Sequence, residues 1–217
     1  MAKIRQAGAW ADRRHYVRSP GGVWVERVPP APVGFIDPFD EPIADRWNVS
    51  SGVTQSGGQV IISTSGVVAG NYPAIETLNK TPMTGKRFMA RVDQILPQSG
   101  GNYETYIEAG PDYSNHMGMY THQWGFEGYL TTGGNRATIQ FAYPNYAPAS
   151  DVWWSLGEAG GVLRWETSPD AVTWTLMATA TPTWSVAQNC HLICKCGYWG
   201  SPAPPTQVAK YGEARIV

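Results

Sequence analysis

The feature that most limits how this chain can fold is period-two alternation in short runs, each cut off by glycine or proline. Residues 87–95 place Phe88, Ala90 and Val92 on one face, with Arg87, Arg91 and Asp93 on the other. Residues 103–109 alternate Tyr103, Thr105, Ile107 and Ala109 against Glu104, Tyr106 and Glu108. Residues 59–64 are rich in β-branched side chains. Ala137, Ile139 and Phe141 oppose Arg136, Thr138 and Gln140, and Leu163 and Trp165 oppose Arg164 and Glu166. Trp174 and Leu176 share a face. Such alternation with polar outer positions predicts antiparallel sheets. About a dozen strands at this spacing predict a sandwich or barrel. No amphipathic helix of ten residues is expected.

Composition agrees. The 217 residues include 24 Gly and 17 Pro, against roughly 12% expected for the pair, which leaves little room for long helices. The 42% hydrophobic content is enough to fill a core. No run approaches 18 apolar residues and the N-terminus lacks an apolar h-region, so neither membrane insertion nor a secretory signal is expected. Cys190, Cys194 and Cys196 share strand parity with Leu192. An odd count at C-x3-C-x-C spacing fits neither a disulfide framework nor paired zinc ligands, so buried thiols are predicted.

The formal net charge of −1 averages two unlike parts. Residues 1–28 carry net +4 and the remainder −5, which suggests two units with different partners and no general nucleic-acid binding. Within the first part, Gly8-Ala9-Trp10-Ala11-Asp12 recurs as Gly22-Val23-Trp24-Val25-Glu26. The repeat predicts two small β-hairpins in an arm too small to be stable alone. Residues 29–34, with Pro29, Pro30 and Pro32, predict a semi-rigid spacer, and residues 35–217 the β-rich body.

Particular residues then resemble known families. Phe35-Ile36-Asp37-Pro38-Phe39 followed by Trp47 resembles the opening strand of concanavalin-A-like, laminin-G-like jelly rolls. Trp154 to Trp165 resembles a hairpin of that fold. Ser168-Pro169-Asp170-Ala171-Val172-Thr173-Trp174 resembles its S-x-D-G-x-x-W turn, with Ala171 where the pattern has glycine. The resemblance implies an all-β antiparallel sandwich over residues 35–217, with Trp47, Trp165 and Trp174 in the core and the C-terminal residues 211–217 beside the first strand. The arm resembles the N-terminal segments of minor tail proteins of actinobacterial tailed phages. That resemblance implies a virion structural protein at the tail tip and a homo-oligomer. Its arm (residues 1–33) would be anchored in other tail proteins through Trp10, Arg14, Tyr16, Arg18 and Trp24, and its jelly roll displayed toward host envelope polysaccharide.

For the body, a lectin-like glycan surface is expected at Tyr113, His116, Tyr120, Trp124, Tyr129, Tyr143 and Tyr146, since aromatic faces stack on sugar rings while their polar edges meet hydroxyls. The alternatives are a glycan-cleaving hydrolase of the same fold and a cellular lectin-like module. Hydrolases that resemble this architecture carry E-x-D-x-x-E or E-x-D-x-E on one strand. Here Glu104-Thr105-Tyr106-Ile107-Glu108 has Tyr106 in the central place, and its two acids stand about 13 Å apart along a strand, too far for a retaining pair. They are read as solvated outer-face acids, and no catalytic residue or enzymatic activity is expected. No metal or cofactor is expected either, although His116 and His122 could meet across neighbouring strands near Asp112.

Overall fold

A computed structural model describes residues 15–18, 24–27, 34–143, 145–200 and 205–217. The chain divides into two units, Met1–Gly34 and Phe35–Val217. In the first, β1 (His15–Arg18) pairs antiparallel with β2 (Trp24–Arg27), with Tyr16 opposite Glu26 and Arg18 opposite Trp24. This is one hairpin built from both predicted pieces of the second repeat. Trp10, Arg14 and residues 3–6 lie outside the described residues. Tyr16, Arg18 and Trp24 sit on the paired strands.

The second unit opens with β3 (Phe35–Asp37), a 3-10 turn (Ile43–Asp45), β4 (Trp47–Val49), β5 (Val53–Ser56), β6 (Gln59–Ser63), β7 (Ala74–Thr77) and β8 (Thr81–Pro82). The long strands follow: β9 (Arg87–Gln94), β10 (Tyr103–Asp112), β11 (Asn115–His122), β12 (Gly125–Thr132) and β13 (Asn135–Ile139). The chain ends with β14 (Trp153–Ala159), β15 (Val162–Ser168), β16 (Thr175–Ala180), β17 (Asn189–Tyr198) and β18 (Val208–Ile216). All pairings are antiparallel. One sheet runs β16-β15-β14-β9-β18-β6-β5 with β3 beside β18, and the other runs β13-β12-β11-β10-β17-β7-β4 with β8 beside β17. The expected all-β sandwich is the observed fold. The C-terminal strand lies beside the first, with Ile216 opposite Phe35.

The alternation seen in the sequence becomes the inner faces of these sheets. Trp47, Ile62, Ile75, Phe88, Leu96, Ile107, Trp154, Trp165 and Leu192 are buried between them, with the three cysteines. Each large apolar side chain removed from water contributes about 1.5–3 kcal/mol. The cysteines are free. Burial pushes the thiols of Cys190 and Cys196 up to about 12 and that of Cys194 well up.

The F-x-D-x-F motif is explained by Asp37. Its carboxylate, fully buried, accepts hydrogen bonds from Trp47 Nε1 (2.7 Å), the Phe39 backbone N–H (2.9 Å) and the Arg46 guanidinium (2.8 and 3.0 Å). One side chain thus closes the first strand onto the second aromatic anchor. At the Asp170 turn, Oδ1 accepts the N–H groups of Val172 (2.8 Å) and Thr173 (2.7 Å), and Ala171 adopts φ 61°, the left-handed conformation that glycine takes without strain.

One core assignment needs correction. Trp174 is half-buried outside the core, its ring under the Arg87 guanidinium at 4.8 Å. Leu176 is exposed, and Met177 takes the inward place. The reason is a register shift between Trp165 and Glu166 in the β15–β16 pair, which moves β16 by one residue and exchanges its faces. The adjacent Trp153 and Trp154 point to opposite faces of β14. Trp154 enters the core, and Trp153 lies on the other face beneath Arg215.

Candidate functional site

The outer face of the second sheet is where the polar chemistry of this chain collects. Directly opposed residues of antiparallel strands share a face, so the pairing registers define its rows. One row runs Glu76 (β7), Ile193 (β17), Glu108 (β10), Gly118 (β11), Tyr129 (β12) and Thr138 (β13). The next runs Ala74, Lys195, Tyr106, Tyr120 and Glu127. Period two then puts Glu104 and His122 beyond the second row, with His116, Thr131 and Arg136 beyond the first.

Tyr106, Tyr120 and Tyr129 form a buried aromatic cluster with Tyr72 packed against it. Tyr106 and Tyr120 stack at 4.8 Å with planes 3° apart, and Tyr129 meets both edge-on. The Arg136 guanidinium lies over Tyr129 at 3.8 Å and over Tyr120 at 4.6 Å. Such rings can lie flat on the sheet because glycine stands beneath them. A Cβ on Gly118 would fall 2.4 Å from the Tyr129 ring, and one on Gly197 2.5 Å from Tyr72.

The two glutamates of β10 are therefore not solvated, which corrects the sequence reading. Glu108 is 2% exposed and Glu104 is also buried. Tyr72 donates to Glu104 and Tyr129 donates to Glu108. Lys195 Nζ lies 2.7 Å from Glu108 Oε1 and His116 Nε2 lies 4.0 Å from it. Burial foremost, with the adjacent carboxylate adding to it, raises the Tyr72 and Tyr129 hydroxyls well above their ordinary range, so both remain donors. Parity alone could not distinguish these acids from solvent-facing ones, because aromatic side chains distant in sequence, Tyr72 from the segment before β7 and Tyr129 from β12, cover them.

A cavity of about 190 Å³ opens at the Glu108 end of this face. Its lining includes Glu108 and Ile193, Glu76 and His191, and Asp112, Tyr113 and His116. His191 Nδ1 lies 3.0 Å from both Glu76 Oε1 and the Thr77 carbonyl. Both are acceptors, so Nδ1 carries the proton. Burial lowers the pKa of His116, and its Nδ1 has no hydrogen-bond partner among the described residues. Among those residues no group of three or more His, Cys, Asp or Glu is arranged to hold a metal ion. His116 and His122 lie on one strand rather than on neighbours.

At the other end of the face, Trp124 is 69% exposed and Trp199 39%, with ring centroids 5.7 Å apart. His122 packs against Trp124 at 5.5 Å, and Gln98 Nε2 ties the hairpin through the His122 and Gly125 carbonyls, 3.1 Å from each.

The expected glycan residues thus divide. Tyr113, exposed, and His116 line the cavity, and Trp124 heads the tryptophan pair. Tyr120 and Tyr129 belong to the buried cluster. Tyr143 and Tyr146 are not exposed loop residues, because both pack against the main core, Tyr146 between Phe126 and Trp154. The sequence reading missed Glu76, Lys195, Tyr72, Arg136 and Trp199. For Glu76 and Lys195 the signal was present as polar positions alternating with Ile75 and with Cys194 and Cys196.

Fold and face together define an all-β jelly-roll sandwich with a polar, partly covered outer face. No family model matches the chain, and no curated protein matches it in sequence. Solved structures do match, each over 84% of this chain. A glycoside hydrolase family protein from Mycobacterium thermorestibile is 14% identical, with a TM-score of 0.61 over 99% of its own length. The catalytic domain of an endo-1,3-beta-glucanase (laminarinase) from Thermotoga petrophila is 12% identical, with a TM-score of 0.58 over 95%. The CBM2 module of the evolved Dit of Lactobacillus casei BL23 phage J-1 is 10% identical, with a TM-score of 0.58 over 93%. At these identities the likeness establishes the fold. It also overturns the expectation of a non-enzymatic protein, since that expectation rested on solvated acids in a fold that is here shared with a glucanase and a glycoside hydrolase.

Proposed function

We propose that the second unit is a glycan-cleaving hydrolase acting at the outer face of its second sheet. The observation that carries this reading is one cavity in which Glu76 and Glu108 stand on either side of Ile193, with Asp112 as a third carboxylate in the lining. Two strand spacings put their Cα atoms about 10 Å apart. An inverting pair holds its carboxyl groups roughly 6.5–9.5 Å apart, a separation that side chains converging on one cavity from this Cα spacing can reach, whereas Glu104 and Glu108 are about 13 Å apart along one strand. Lys195 Nζ and the Tyr129 hydroxyl both hold Glu108 in place, which positions it for the role of base. In this assignment a water attacks the anomeric carbon and passes a proton to Glu108. Glu76, entering the cycle as the protonated acid, gives that proton to the leaving oxygen as the glycosidic bond breaks, and the proton taken up by Glu108 returns to it through solvent. The product has inverted configuration.

The test is release of reducing ends from a panel of β-glucans and cell-wall polysaccharides, with product anomers read by NMR. Glu108→Gln and Glu76→Gln are expected to lower the rate by 10²-fold or more while keeping the wild-type circular dichroism spectrum. Glu104→Gln should change it by less than tenfold. Absence of hydrolysis on every polymer sinks this reading.

A second reading is supported by the exposed Trp124–Trp199 pair and by the likeness to a phage tail module. In it the jelly roll is a glycan-binding domain at a phage tail tip, held by residues 1–33 in a neighbouring tail protein. Protection of residues 1–33 from protease in assembled particles is the expected result, and rapid cleavage there excludes the anchor.

A further inference from the structure

The middle of the outer face is closed to a polymer. Tyr72, Tyr106, Tyr120 and Tyr129 cover it, and Arg136 lies across them from the edge strand. A glycan cannot run over this sheet along the Glu104–Glu108 line without expelling buried aromatic rings. Open surface remains at the two ends, as the Trp124–Trp199 pair and the cavity at Glu108. The latter, about 190 Å³, is smaller than the 300–1,000 Å³ of sites for drug-sized ligands, yet larger than the roughly 150 Å³ that accepts benzene. It has room for one six-membered ring with its substituents.

Its walls have the chemistry of a sugar site. Glu76 and Glu108 offer carboxylate oxygens to pairs of hydroxyls, and His116 Nδ1 is buried without a partner. Tyr113, 77% exposed in the lining, offers an aromatic surface on which the C–H side of a pyranose can stack. The charge is selective. Glu76, Glu108 and Asp112 line the cavity against Lys80, while Lys195 is held by Glu108. Excess carboxylate repels a uronate or a sulfated sugar and accepts a neutral or an amino sugar.

We infer that this cavity holds a single neutral or amino sugar unit at the end of a glycan chain, so that the protein reads chain ends rather than internal runs. The inference rests on the reading of this face as a glycan site and specifies its ligand.

The experiment uses the full chain with methyl glycosides of neutral hexoses, hexosamines and uronic acids, followed by calorimetry and by NMR of the histidine ring protons. At least one neutral or amino glycoside is expected to bind and to shift His116 and His191. Tyr113→Ala and Glu76→Gln should each weaken it about tenfold or more. Trp124→Ala should leave it within twofold, and uronates should not compete. Both Tyr113 and Glu76 have solvent-accessible side chains, so these variants fold. Binding that leaves the histidine rings unshifted, is lost in Trp124→Ala, or favours uronates overturns the inference. Oligosaccharide binding or cleavage that no methyl glycoside inhibits overturns it too, while leaving the glycan reading intact. No binding of any monomer or polymer removes both.

Discussion

Asp37 concentrates the energetics of the opening strand in one side chain. Removing it strands the Trp47 indole N–H, the Phe39 amide and the Arg46 charge together. Asp37→Ala is expected to lower unfolding stability by about 2–4 kcal/mol in urea titrations, whereas Asp40→Ala, on the exposed surface, should cost little. Ala171 presents the opposite case. Left-handed backbone costs a non-glycine residue about 1 kcal/mol, partly offset by the freedom glycine gains in the unfolded chain. Ala171→Gly should therefore stabilise by up to about 1 kcal/mol. An unchanged or lower urea midpoint contradicts this. His116 gives a pH dependence. Burial lowers its folded pKa below the ordinary 6.5, so the unfolded chain binds more protons between the two values. Stability then falls as pH drops from about 7 through 6.5 and levels off below the folded value. His116→Gln should flatten that slope.

At the scale of elements, β10, β11 and β12 form the platform of the candidate site, and their glycines decide what can lie on it. Gly118 sits directly beneath the Tyr129 ring. Gly118→Ala must displace that ring and with it the hydroxyl that Glu108 accepts. The expected cost is about 1–3 kcal/mol, with a matching loss at the site. Wild-type melting and wild-type activity in this variant contradict the packing described here. On β16 the same kind of logic operates through register. A single shift opposite Trp165 and Glu166 exchanges Leu176 for Met177 in the core. The strands themselves were legible as alternation in the sequence. This shift was not, because a bulge is set by how two strands meet.

Across the whole molecule, the three thiols report on the sandwich as a unit. They lie between the sheets at different heights of β17, and burial raises all three pKa values. A thiol-reactive chromophore at pH 8 should label none in the folded protein, and all three should become reactive together as the protein unfolds. Stepwise labelling below the transition indicates separate opening of one sheet edge. The cysteine reading needed only strand parity. The candidate site needed more, since Glu76, Glu108, His116 and His191 come from β7, β10, β11 and β17, separated by up to 115 positions in the chain.

The sequence by itself determined the layers. Period-two alternation fixes which residues turn inward, turn formers fix where strands end, and Asp37 with Trp47 marks where the sandwich begins. These are local effects of backbone geometry and apolar burial, so they are visible in neighbouring residues. Only the tertiary structure decided which outer-face residues are covered and which are open. Glu108 and Tyr113 lie in one stretch of polar sequence, yet one is buried beneath Tyr129 and Lys195 and the other is exposed in the lining of a cavity. That difference arises from strand order and cross-strand register, which bring distant side chains into contact and which no local pattern encodes.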